Sequence, residues 1–187
     1  MTRQLFADGR LICVVGPSGA GKDAIMRGVM DMMPEVKLAR RVITRPKHDA
    51  SEEFDSVSPD EFRAMRDSGD FLFHWQAHGL SYAVPAGYAD VVAAGDIVLF
   101  NGSRAALPEM RQICPDMRVF LITVSADILA LRLAGRGRET QDEIRQRLSR
   151  TVTVPVGDAV HINNDGPLAD AVAHFVARLR RPEADGE

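Results

Sequence analysis

The sequence predicts an α/β protein, a parallel sheet flanked by helices with a smaller subdomain inserted in mid-chain. Three observations carry this. A wholly apolar run, "LICVV" (11–15), ends at glycine and leads into a helical pattern; such a run suits a strand buried on both faces. Strand and helix patterns alternate again from about residue 90 onward, as a parallel sheet with crossover helices requires. Between about 40 and 90 the alternation fails, and that stretch reads as the insertion.

Each element has its own signal. After the glycines, "DAIMRGVMDMM" sets Ile25, Val29 and Met33 at helical spacing, and Pro34 stops the helix. "KLARRVITR" reads as one strand running into a basic turn. "SPDEFRAMRDSG" has Ser58 as N-cap, Pro59 at the first helical position and Glu61 at the third, a capping box, with Gly69 closing the helix. "FLFHWQAHGLSYAVP" is a strand and turn rich in aromatics and histidine, and "ADVVAAG" is a helix with a glycine stop. "DIVLFN" is a second buried strand, "SRAALPEMRQIC" is broken by Pro108, and "MRVFLITV" is a third strand. "SADILALRLAGRG" and "TQDEIRQRLSR" are helices capped by Ser125 and Thr140. "AVHINND" is a last strand, and "GPLADAVAHFVARLRR" a terminal amphipathic helix.

A chain of 187 residues can form one α/β domain with a sizeable core. Its net charge of -3 offers no broad basic surface, so nucleic acid is not an expected partner. No apolar stretch has the length of a signal peptide or a membrane span, which leads us to expect a cytoplasmic protein with no membrane partner. Cys13 and Cys114 make no disulfide framework and read as small core hydrophobes in a reducing compartment.

The chemistry concentrates first in "GPSGAGKD" (16–23). Gly16, Gly19, Gly21 and Lys22 match a phosphate-binding loop, with Pro17, Ser18 and Ala20 completing it. Glycines there let backbone N–H groups turn toward phosphate oxygens, the next helix aims its positive end at them, and the lysine adds charge. The usual hydroxyl position holds Asp23 instead. A carboxylate gains about 0.3–1 kcal/mol from a helix start. At ~5 Å from a phosphate charge it loses ~3 kcal/mol at an effective dielectric near 20. Repulsion wins unless a cation intervenes, so Asp23 is expected to support Mg²⁺, directly or through water; the plainer reading is a helix cap aimed away from the ligand. In phosphate-loop kinases a second buried strand often ends in an Asp that supports Mg²⁺; here the second buried strand ends in Asn101. The acidic group has, on this reading, moved from one loop to the other.

A second concentration is "LRLAGRGRETQDEIRQRLSR", with Arg132, Arg136, Arg138, Arg145, Arg147 and Arg150. Glu139, Asp142 and Glu143 would pair some of them on solvated helix faces. Arg136 and Arg138 flank a loop glycine and fit that explanation less well. Phosphoryl transfer needs positive charge around the moving group, and a closing arginine-bearing lid also excludes water.

"GPSGAGK", "TRP", "FDSVSPDEF", "YAVP", "RLAGRGRE" with "RQRL", and "INND" follow one another as do the motifs of the guanylate-kinase-like P-loop kinases, which the chain resembles over nearly its whole length. The details "GPSGAGKD", "HWQAHGLSYAVP", "LFNGSRAAL", "GRGRE" and "NNDG" resemble the ribose 1,5-bisphosphate phosphokinases of phosphonate catabolism. Ala83 departs from the pattern, where glycine is expected. The resemblance implies a single P-loop kinase domain: a core of about 1–39 and 90–187, an acceptor-binding insertion of about 40–89, and a helical lid of about 132–148. It implies ATP with Mg²⁺, a sugar bisphosphate acceptor, and PRPP (5-phosphoribosyl 1-diphosphate) as product. Lys22, Arg136 and Arg147 would be catalytic, and the loop 16–23 with Arg132 and Asn163, or its neighbour Asn164, would hold ATP. Arg45, His74, His78, Tyr82, Asn101, Ser103 and Arg104 would bind the acceptor. In guanylate kinases the positions of His74 and Asn101 carry carboxylates that meet guanine, so a histidine and an amide in their place suit a phosphate-bearing sugar better. No Cys or carboxylate accompanies the two histidines at ligand spacing, so zinc is not expected. A nucleoside monophosphate kinase, or a non-catalytic binding module of the same fold, stands as the alternative.

Overall fold

A computed structural model describes residues 10–46, 53–135 and 156–180. The chain runs β1 (Leu11–Val15), α1 (Lys22–Met32), β2 (Val36–Leu38), β3 (Arg41–Ile43) and β4 (Phe54–Ser56). It continues α2 (Pro59–Asp67), β5 (Phe71–Ala77), β6 (Leu80–Pro85), α3 (Tyr88–Ala93) and β7 (Ile97–Asn101). After a 3-10 turn (Arg104–Ala106) come α4 (Leu107–Ile113), β8 (Arg118–Thr123), α5 (Ala126–Gly135), β9 (Val160–Asn163) and α6 (Leu168–Arg180). No helix among the described residues is long and apolar enough to cross a membrane.

Five strands form one parallel sheet in the order β2-β7-β1-β8-β9. β1 lies at its centre and every one of its residues is buried. Because successive side chains alternate across a strand, Ile12 and Val14 pack with Ile25, Met26 and Val29 of α1 and with Phe175 of α6. Leu11, Cys13 and Val15 face the other way, onto Leu107 and Met110 of α4 and onto Phe73 and Trp75 of β5. Phe120 and Phe175 stack at 4.2 Å between ring centroids. Both cysteines are buried and free; burial pushes the Cys114 thiol up to about 12 and the Cys13 thiol higher still.

The middle of the chain builds a second sheet, in the order β4-β3-β6-β5. β3 runs parallel to β4 and antiparallel to β6, and β5 and β6 form a hairpin. Its two-residue turn is His78–Gly79, with φ of 52° and 74°, the backbone sense that tight hairpins require. One face of this sheet joins the core of the first: Phe73 stacks on Phe100 of β7 at 5.6 Å. The other is covered by α2, where Val42, Phe62 and Ala83 pack together. Ser58 and Glu61 cap α2 reciprocally, Ser58 N donating to Glu61 Oε2 at 2.7 Å and Glu61 N to Ser58 Oγ at 3.2 Å. The Ser58 backbone N–H holds the Glu61 carboxyl below the usual carboxylate range.

Three local expectations are corrected. "KLARRVITR" is two strands, not one: β2 belongs to the first sheet and β3 to the second. Ala39 N still donates to Leu99 O at 2.8 Å, and the chain crosses between sheets at Arg40 without glycine or proline. Pro108 does not break its helix; it sits in the first turn of α4, where its missing N–H costs nothing. Ala83, where the family pattern leads one to expect glycine, lies inside β6, opposite Val42 and His74, and a strand interior has no need of glycine.

Phe175 is fully buried against both α1 and β8. Phe175→Ala is expected to lower stability by about 3–5 kcal/mol, read as a shift of the urea unfolding midpoint at unchanged slope.

Candidate active site

In an open α/β sheet ligands bind beyond the carboxyl ends of the strands, where the strand order reverses. Here that point lies where β1 parts from its neighbours β7 and β8, and the glycine-rich loop sits on it. Gly16 leaves β1 at φ 151°, and a Cβ there would meet Ile122 O at 2.5 Å. Gly21 precedes α1 at φ 90°, and a Cβ would meet Asn164 Nδ2 at 2.5 Å. No side chain caps the start of α1, and helix-start amides of this kind are ready donors to an anion. Ser18 is exposed, whereas Ala20 is buried. Lys22 folds back over the loop, its Nζ donating to Gly16 O and Pro17 O at 3.0 Å each.

Asn164 and Arg132 hold the loop from the far side. Asn164 is 3% exposed; its Nδ2 donates to Ala20 O at 2.7 Å and its carbonyl accepts from Arg132 Nη2 at 2.7 Å. Arg132 Nη1 and Asn164 Oδ1 are buried without a hydrogen-bond partner among the described residues, a donor and an acceptor beside Gly21. Asn163 is exposed and faces its own turn, with Oδ1 accepting from Asp165 N at 2.7 Å. Asp165 Oδ1 in turn accepts from Ser125 N at 2.6 Å. That N–H, foremost, holds the Asp165 carboxyl below its usual range and ties the β9–α6 loop to the start of α5.

On the β7 side, Asp23 Oδ1 accepts from Asn101 Nδ2 at 3.0 Å. The two residues singled out in sequence as an exchanged pair therefore meet, 78 positions apart. Asn101 O accepts from Arg41 Nη1 at 2.8 Å. Ser103 and Arg104 follow, both half-buried, at the 3-10 turn. Tyr82 stacks on Trp75 at 5.6 Å and 8°. Arg45 lies with its guanidinium carbon 4.5 Å from the Phe54 ring centre, and its Nε is buried with no hydrogen-bond partner among the described residues. A buried donor left unmatched is what a missing anionic partner would leave behind.

The structure does not bring His74 and His78 to this cluster. His74 alternates with Phe73 and Trp75 along β5, so it stands on the opposite face, exposed. His78 occupies the exposed hairpin turn. Arg136 and Arg147 lie outside the described residues, as does most of the expected lid. Arg41 was not singled out in the sequence, where it directly follows Arg40 and reads as one of several basic residues. Among the described residues no group of three His, Cys, Asp or Glu could hold a metal. A divalent ion here would rest on Asp23 and on a ligand's phosphates, the arrangement Mg²⁺ commonly takes.

Asn164→Ala removes the buried donor to Ala20 O. A loss of about 1–3 kcal/mol is expected, measured by urea unfolding, with hydrogen exchange in the loop rising more than in β1.

No family model matches the chain. It is similar to ribose 1,5-bisphosphate phosphokinase PhnN of Ruegeria sp., 39% identical over 181 residues that cover 95% of either chain. It is 42% identical over 166 residues to the PhnN of Agrobacterium fabrum, covering 86% of this chain and 91% of that one. In fold it is similar to guanylate kinase from Anaplasma phagocytophilum, with a TM-score of 0.66 at 15% identity over 92% of this chain and 85% of the other. With an uncapped phosphate loop at the switch point of its sheet and relatives aligned along nearly its whole length, the chain belongs to the ribose 1,5-bisphosphate phosphokinase family.

Proposed function

We propose that this chain transfers the γ-phosphoryl group of ATP to the 1-phosphate of ribose 1,5-bisphosphate, giving 5-phosphoribosyl 1-diphosphate and ADP. The observation that carries this is the 39% identity along 95% of the chain to a relative that bears this activity in its name. The resemblance in motifs puts the step in phosphonate catabolism. An acceptor phosphate oxygen attacks the γ phosphorus, and the bond to the β–γ bridging oxygen breaks with its electron pair leaving on ADP. A phosphate monoester is already ionised near neutral pH, so the site needs positioning and positive charge more than a base.

The loop amides of 16–23 and Lys22 would hold the donor phosphates. Arg132, with Asn163 or its neighbour Asn164, would bound the nucleotide side. Arg45, Tyr82, Asn101, Ser103 and Arg104 would receive the acceptor; the unmatched Arg45 Nε supports this for one phosphate. Arg136 and Arg147 would surround the moving phosphoryl group from a lid of about 132–148. Mg²⁺, when bound with ATP, would offset charge between the phosphates and Asp23. The Asn101 amide already faces Asp23, which supports a carboxylate whose position is fixed.

Two measurements test this reading. Incubation with ATP, Mg²⁺ and either ribose 1,5-bisphosphate or GMP should give 5-phosphoribosyl 1-diphosphate from the first and little GDP from the second; GDP alone would overturn it. Asp23→Ser should raise the Mg²⁺ concentration for half-maximal rate and lower turnover, by roughly tenfold for each 1.4 kcal/mol of lost stabilisation. An unchanged Mg²⁺ dependence would remove Asp23 from metal support.

A further inference from the structure

Arg41 has no part in the roles assigned above, yet it is one of two buried polar side chains among the described residues, 7% exposed. Burying a guanidinium is costly unless the surroundings match it, so its contacts say what it is there for. It opens β3, in the inserted sheet. Its guanidinium carbon lies 5.2 Å from the Tyr82 ring centre and 5.9 Å from that of Trp75, within reach of a cation–π attraction to that stacked pair. Its Nη1 reaches out of the inserted sheet to Asn101 O, at the end of β7 in the first sheet.

Asn101 is thus held twice. Its backbone carbonyl accepts from the inserted sheet through Arg41, and its side-chain amide donates to Asp23 beside Lys22. Contacts run without a gap from Trp75 and Tyr82 through Arg41 and Asn101 to the first turn of α1. We propose that Arg41 is a positioning residue which, through Asn101, sets where Asp23 stands, so that filling the phosphate loop is transmitted to the aromatic pair of the inserted sheet. Coupling of this kind is reciprocal: a ligand on the inserted sheet also biases the loop. The inference rests on the reading of the loop as the ATP site.

Trp75 is the single tryptophan of the chain, so its emission reports on the far end of this path. The full chain is titrated with ADP and Mg²⁺, following heat and Trp75 emission together. In the unaltered chain the emission changes along the same isotherm as the heat. Asn101→Ala keeps the carbonyl that Arg41 uses and deletes only the amide facing Asp23. Nucleotide still binds this variant, but the emission change that accompanies binding is lost. Arg41→Met cuts the path at its other end and does the same; if that variant does not fold, Asn101→Ala decides alone. An emission change that persists in full in Asn101→Ala, or that is missing from the unaltered chain while heat shows binding, overturns the proposal. Absence of binding heat in the unaltered chain overturns the reading of the loop itself, and the proposal falls with it.

Discussion

A helix start without a side-chain cap is the constraint on which the rest of the site depends. Two helices make the contrast. The start of α2 is closed by Ser58 and Glu61, each bonding the other's backbone, and that arrangement serves stability. The start of α1 has Gly21 in front of it and no side-chain cap, a setting that suits an anion at the helix end. A loop without that reciprocal cap is held in shape by other contacts. Lys22 bridges two of its carbonyls, Asn164 holds a third, and the crowding at Ile122 and Asn164 excludes any side chain at Gly16 and Gly21.

The charge distribution follows from the same constraint. A loop built to attract phosphate has little tolerance for a carboxylate, yet Asp23 is in its first helical turn. The Asn101 amide partly answers that charge, and Asn101 is in turn anchored by the buried Arg41. Positive and neutral donors thus reach the loop from the inserted sheet and β7 on one side, and from Arg132 and Asn164 on the other. The inserted sheet shares its apolar face with β1 and β7, which fixes the distances over which these contacts operate.

Elements with strong local signals were legible in the sequence. "LICVV", the glycines and the following amphipathic pattern specify β1, the loop and α1 because burial and helix period agree there. The capping box located the start of α2 to the residue. The parallel α/β class followed from the alternation. What escaped was decided over longer distances. Nothing in "KLARRVITR" marks the crossing at Arg40, since both halves are extended and only their partners differ. The face on which His74 falls depends on the register of β5 against β6, and counting alone does not say which face meets the core. Arg41 looked like one more basic residue in a basic turn, because its partners are a backbone carbonyl 60 positions away and two aromatic rings.

The two cysteines illustrate what a packed interior does for a chemist. Both thiols are buried and disfavoured as thiolates, the form that reacts with alkylating dyes; burial pushes the Cys114 thiol up to about 12. A cysteine introduced on the exposed face of α2 would therefore be the only readily labelled thiol. Site-specific fluorophores, spin labels or surface tethers could be attached to the otherwise unaltered chain, with no need for a cysteine-free background.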